Sequence, residues 1–164
     1  VRELLLLRHA KSSWDAAGVR DHDRTLNARG ERDAPRMGRL LVEEGLVPDL
    51  IVASTAVRAR RTAELVAEAA GVDGVAVCED LYLAPPGTLV DVARRRGGDA
   101  QRLLLVAHNP GLEDLVSQFT GSHDAFPTAA LAVLQFDIDA WDDLALMSVP
   151  AAVRGVWRPK ALDD

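Results

Sequence analysis

Four short apolar runs, at residues 4–7, 50–53, 75–78 and 103–107, are separated by segments patterned as helices, and this alternation limits the fold more than any other feature of the chain. Each run has strand length and ends at polar or turn residues, as expected of strands buried on both faces. The segment at residues 28–44 places Ala34, Met37 and Leu41 on one face, offers Thr25 and Asn27 as caps, and stops at Gly45 with Pro48 beyond. "STAVRARRTAELVAEAAG" predicts a second helix, opened by the cap-type residues Ser54 and Thr55 and closed by Gly71. Shorter helices are expected after Pro86 and Pro110. "LAVLQFDIDAWDDLALMSV" reads as two strands joined by an acidic turn. The order implies an α/β three-layer sandwich, with a mostly parallel central sheet closed by a C-terminal antiparallel hairpin.

The 164 residues, 48% of them hydrophobic, suffice for one domain with its own core, and no repeat or long linker divides residues 1–164. A formal charge of -6 argues against a broad surface for nucleic acid or anionic membrane, so any anion site must be small and focused. Cys78 is the lone cysteine, which excludes an intrachain disulfide, and no Cys/His spacing fits a structural zinc site. No apolar run is long enough for a membrane span or a signal-peptide core. These features lead us to expect a cytoplasmic protein with neither nucleic-acid nor membrane partners.

Ligands of open α/β sheets bind beyond the carboxyl ends of the strands, which singles out the polar residues that follow each apolar run. The first strand delivers Arg8 and His9. The second delivers Ser54, with Arg58 one turn into the next helix, and the fourth delivers His108 before Asn109 and Pro110. Guanidinium groups match phosphate oxygens in pairs, and helix N-termini add oriented backbone donors, so this rim suits a phosphoryl group. His22 and His123 each neighbour an aspartate and read as surface residues without a role. Trp14, Trp141 and Trp157 read as packing residues or an aromatic rim.

"LLRHAKSSW" resembles the arginine-histidine signature of the histidine phosphatase superfamily, which also contains the cofactor-dependent phosphoglycerate mutases. "DRTLNARG", "STAVRARRTAEL" and "VAHNPGLEDL" follow in the family's order, and "RHAKS" together with "HNP" is most similar to the SixA-type phosphohistidine phosphatase branch. The resemblance implies a phosphoglycerate mutase-like fold, His9 as nucleophile, Arg8, Arg58 and His108 as a phosphate clamp, and no metal or cofactor. Only the family register separates Arg58 from its neighbours Arg60 and Arg61. Ser12, Arg24 and Asn109 are candidate substrate-binding residues, although Arg24 could equally pair with Asp21 or Asp23 on its own loop.

A histidine attacks phosphorus only when neutral, and the charges of Arg8 and Arg58 disfavour its imidazolium form. Its other ring nitrogen should donate to a backbone carbonyl, fixing the tautomer. Water would then hydrolyse the phosphohistidine intermediate. Many members of the superfamily carry a glutamate general acid after the third strand. Here "EDLYLAPPG" has Leu83 where that carboxylate is expected, leaving Glu79 or Asp80 as substitutes of uncertain register. An alkoxide leaving group needs that proton, whereas the imidazole of phosphohistidine can be protonated on its own ring. The short segment at residues 79–101 also leaves little material for a lid. The expected partner is therefore a protein displaying phosphohistidine, such as a histidine-containing phosphotransfer domain. The alternatives are a phosphatase of small phosphomonoesters and a phosphate-dependent binding module without turnover, the latter disfavoured by intact His9 and His108.

Overall fold

A computed structural model describes residues 1–14 and 17–162. Its elements run β1 (Arg2–Arg8), α1 (Ala28–Glu43), β2 (Leu50–Ala53), α2 (Val57–Ala70), β3 (Ala76–Val77), α3 (Pro86–Arg96), β4 (Arg102–Ala107), α4 (Gly111–Thr120), β5 (Leu131–Phe136) and β6 (Ala152–Trp157). They form one six-stranded sheet in the order β3-β2-β4-β1-β5-β6. The first four positions in that order are mutually parallel, and β5 runs antiparallel to both β1 and β6.

The side-chain alternation of the central strands divides the core into two layers. Leu4, Leu6, Leu103 and Leu105 face Leu89, Leu112, Leu115 and Phe119 of α3 and α4. Leu5, Leu7, Leu104 and Val106 face Met37, Leu41, Ala59, Ala63 and Val66 of α1 and α2. This is the expected three-layer sandwich. Among the described residues no helix is long and apolar enough to cross a membrane.

Three local expectations are corrected. The run at residues 75–78 is not buried on both faces: β3 is a two-residue strand at the sheet edge, with Ala76 half-buried and Val77 exposed. The helix α2 is not capped by Ser54 or Thr55. Its N-cap is Ala56, with no side-chain cap, because both hydroxyls engage histidines: Ser54 Oγ lies 2.8 Å from His108 Nε2 and Thr55 Oγ1 lies 2.9 Å from His22 Nε2. The partner of β5 is also not the segment at residues 144–149. Trp141 is buried in a 3-10 turn, its Nε1 donating to Ala100 O at 2.7 Å, and Leu144 is buried beside it, so the chain stays pinned to the α3 layer and pairs only after Pro150. The N-cap of α1 is Asn27, whose Oδ1 accepts from Gly30 N at 2.9 Å.

Close backbone approach, rather than an unusual φ, requires glycine at Gly30, against Lys11 O, and most tightly at Gly111. A Cβ on Gly111, the first residue of α4, would overlap the carbonyl oxygen of Ala84, and a backbone atom cannot swing aside as a side chain can. Gly111→Ala should therefore lose about 3 kcal/mol of stability through overpacking, read as a lower urea midpoint at unchanged slope. A midpoint equal to wild type would show that the α3 and α4 segments are not in contact here.

Candidate active site

The strand register fixes the centre. Arg8 pairs with Ala107 across β1 and β4, so the next residues, His9 and His108, leave the sheet side by side. His9 N donates to Ala107 O at 3.1 Å, and the two rings lie 5.2 Å apart, tilted by 50°. His9 Nδ1 donates to Ala10 O at 2.8 Å, which leaves the lone pair on Nε2. Arg58 Nε points at that nitrogen from 3.4 Å. Burial, reinforced by His108, Arg58 and Arg8 and only partly offset by the Ala10 bond, brings the His9 pKa down to about 3. His9 Nε2 is thus neutral and desolvated within the neutral pH range, the state in which an imidazole nitrogen can act as a nucleophile.

The buried ring of His108 is held just as firmly. Its Nδ1 lies 3.4 Å from Arg58 Nη2, which can only donate, so Nε2 carries the proton and donates to Ser54 Oγ. Burial, then the charge of Arg58, lowers its pKa to about 3 despite the opposing effect of Asp21. Arg58 is 2% exposed. Its Nη1 donates to Asp21 O at 2.6 Å and its Nη2 to Asp21 Oδ2 at 3.0 Å. The neighbours differ visibly: Arg60 is exposed and Arg61 pairs with Glu31 at 3.2 Å, so geometry now makes the distinction that only the family register made before.

Arg8 completes the cationic side. Its Nη1 donates to Phe126 O at 3.3 Å, while its Nε is, among the described residues, the one buried side-chain nitrogen or oxygen with no hydrogen-bond partner. A buried guanidinium nitrogen without an acceptor is what an oxyanion site presents before its ligand arrives. Burial lowers the Arg8 pKa, Glu113 opposes this and Arg58 adds to it.

The three candidate substrate contacts fare differently. Arg24 lies beside the site and pairs on its own loop as well: Nε donates to Asp21 Oδ1 at 3.2 Å, Nη1 to Ser12 Oγ at 2.6 Å, and the guanidinium sits 3.5 Å from the Trp14 ring centroid. Ser12 is buried and engaged by Arg24. Asn109 donates to Phe126 O at 2.8 Å and accepts from Glu113 N at 3.2 Å, so its amide ties α4 to the carbonyl that orients Arg8. Trp141 is core, whereas Trp14 is exposed.

Sequence reasoning passed over Asp21, His22 and Tyr82. The Asp21 carboxylate joins Arg58, Arg24 and the Tyr82 hydroxyl, which donates to Oδ2 at 2.5 Å. Burial alone would raise its pKa, but the hydrogen bonds from Tyr82 and Arg58 and the Arg58 charge outweigh this and bring it to about 2. The Tyr82 ring stands edge-on to His22 and His108, at 4.9 and 5.4 Å. Tyr82 enters the site from the segment searched for an acid, while Asp80 turns to Arg95 at 3.0 Å and Glu79 is exposed. The only sequence cue to Asp21 was its place in "DHDRTL", three residues before Arg24. Among the described residues no group of three or more His, Cys, Asp or Glu could hold a metal ion.

The depressed histidines carry a pH signature. Unfolded imidazoles gain a proton below about pH 6.5 and the folded ones resist it until about 3, so this part of the stability is complete above 6.5 and is lost as pH falls from 6.5 towards 3. In a 15N NMR titration of the imidazole nitrogens, His9 and His108 should remain neutral at pH 5, and the denaturation midpoint should be lower there than at pH 7.5. Titration of either ring near 6.5 would contradict the desolvated pocket.

A model of the histidine phosphatase superfamily (branch 1) matches residues 4–82. An uncharacterized chloroplastic protein of Arabidopsis thaliana is 32% identical over 173 residues, spanning 98% of this chain and 77% of the relative. An uncharacterized protein of Mycobacterium tuberculosis H37Rv is 36% identical over 141 residues, spanning 79% and 86%. Among solved structures, a SixA of Agrobacterium tumefaciens, named as a candidate phosphohistidine phosphatase, superposes with a TM-score of 0.75 at 33% identity, over 82% of this chain and 92% of that one. A protein histidine phosphatase SixA complexed with tungstate has the same fold, with a TM-score of 0.80 at 20% identity over 98% and 99%. Paired strand-end histidines, a buried arginine between them and these matches lead to one conclusion: the chain belongs to the histidine phosphatase superfamily, in its SixA-type branch.

Proposed function

We propose that this phosphatase hydrolyses phosphohistidine displayed on a protein. The observation that supports this reading best is the state of the carboxylate at the pocket. Asp21 is ionised down to about pH 2, so at neutral pH it has no proton to give an alkoxide. Neither residue expected as a substitute acid supplies one, since Asp80 pairs with Arg95 and Glu79 lies exposed. A substrate whose leaving group brings its own proton needs no such acid.

In the proposed reaction His9 Nε2 forms a bond to phosphorus as the P–N bond of the substrate breaks. The bonding pair passes to the leaving ring nitrogen, and because the second nitrogen of that ring is protonated, the imidazole departs neutral. Arg8 and Arg58 would hold the equatorial oxygens, and His108, whose ring proton otherwise goes to Ser54, would join them by taking up a proton beside the phosphoryl dianion; loss of one such donor typically lowers the rate about 100-fold to 1,000-fold. Water then attacks phosphorus, the N–P electron pair returns to His9, and the dihydrogen phosphate product keeps both protons of the water. The charge acting on the phosphoryl group comes from these side chains, without metal or cofactor. Between β3 and β4 there are only a 3-10 turn (Glu79–Leu81) and the short α3, so a side chain presented by a helical phosphotransfer domain can enter where a lidded site would exclude it.

A series of phosphomonoesters of graded leaving-group basicity, run beside a phosphohistidine peptide, tests this reading. Aryl phosphates and phosphohistidine should turn over readily, alkyl phosphates such as phosphoserine should be poor substrates, and Glu79→Gln and Asp80→Asn should alter rates only modestly. Efficient alkyl phosphate hydrolysis that collapses in either variant would shift the reading to a small-metabolite phosphatase, and absence of turnover on every ester and phosphoramidate would leave a binding module.

A further inference from the structure

The substrate reading leaves one group at the pocket without a task. Asp21 sits on the outer side of Arg58, whose Nε points at His9 while Nη1 and Nη2 point at Asp21. The carboxylate therefore lies about one guanidinium width beyond the nucleophile. It is fixed from three directions, by Arg58 of α2, by Arg24 of its own loop and by Tyr82 from the segment before α3, with His22 against the same tyrosine ring. Its side chain nevertheless remains 43% exposed, open to whatever enters the mouth of the site. A negative charge here offsets that of buried Arg58, yet it also weakens the hold of Arg8 and Arg58 on an anionic ligand. Orientation of Arg58 alone would not require a charge, since the Asp21 backbone carbonyl already takes Nη1 at 2.6 Å.

Resting on the phosphohistidine reading, we infer that Asp21 is a selectivity-determining residue, whose carboxylate favours phosphoryl donors with a cationic leaving group and disfavours those whose leaving atom becomes an anion. In-line attack by His9 places the leaving group opposite that ring, towards the mouth. The ring of a protonated phosphohistidine carries its positive charge there, beside Asp21, and keeps part of it until the P–N bond is broken. An ester oxygen instead gathers negative charge as the P–O bond breaks, and the same carboxylate repels it. The two substrate classes therefore feel Asp21 with opposite sign, while both feel the rest of the clamp alike. Asp21 remains ionised over the whole range in which the enzyme would work.

The test compares kcat/KM for a phosphohistidine peptide with that for p-nitrophenyl phosphate in wild type, Asp21→Asn and Asp21→Glu. Asparagine keeps the size of the side chain and the backbone carbonyl bond to Arg58, so loosening of the clamp lowers both rates together, whereas loss of charge changes their ratio. The ratio should fall about tenfold in Asp21→Asn, the size expected for one charge acting through partly solvated protein. Asp21→Glu, which keeps the charge on a longer arm, should hold the ratio nearer the wild-type value than the asparagine variant does. A ratio within threefold of wild type in Asp21→Asn, or indistinguishable ratios in the two variants, would overturn the inference and leave Asp21 as a structural anchor of Arg58. A wild-type enzyme without activity on the phosphohistidine peptide would overturn the functional reading itself, an outcome read from the wild-type rates before any variant is made.

Discussion

The burial of one guanidinium governs this site. Arg58 is almost wholly removed from water, and such a charge persists only if its donors find acceptors. Asp21 supplies two of them, and the neutral nitrogens of His9 and His108 face the others. That arrangement has a chemical consequence. An imidazolium at either position would place like charges in a desolvated space, so the cation suited to grip a phosphoryl group also helps keep His9 and His108 free of an added proton.

The scaffold makes this burial reproducible. The β1–β4 register sets His9 beside His108, and Ser54 N donates to Val106 O at 2.9 Å, extending the same ladder from β2. Ser54 Oγ then serves twice, accepting hydrogen bonds from His108 Nε2 and from Ala56 N as the chain turns into α2. On the far side Phe126 O receives both Arg8 and Asn109, while Glu113 Oε1 accepts from Phe126 N at 2.7 Å. Arg8 and Arg58 are thus held by backbone carbonyls of other segments, His9 by that of the next residue and His108 by the Ser54 hydroxyl, which restrains all four as the tight tolerances of in-line transfer require.

Much of this was legible in the sequence because it is carried by local pattern. Apolar runs named β1, β2 and β4 as buried strands and placed the exposed edge strand β3, the polar residues at their ends named Arg8, His9, Ser54 and His108, and the family register picked out Arg58. The missed features are those set by tertiary contact. Ser54 and Thr55 have the chemistry of caps, and only the fold shows that His108 and His22 take their hydroxyls instead. The second hairpin strand was placed too early because Trp141 and Leu144 look like strand residues until the core claims them. Asp21 resembles any loop aspartate, and Tyr82 lies 61 positions away along the chain, so neither announces a shared hydrogen bond.

The proposed chemistry rests on His9 Nε2 as the atom that takes the phosphoryl group, which a covalent adduct would reveal directly. Enzyme mixed with radiolabelled phosphohistidine peptide, quenched at alkaline pH within a turnover and digested, should yield acid-labile label on the peptide containing His9, absent in His9→Ala. Label on the peptide containing His108 with His9 unmodified, or full turnover by His9→Ala, would contradict the assignment of His9 as nucleophile.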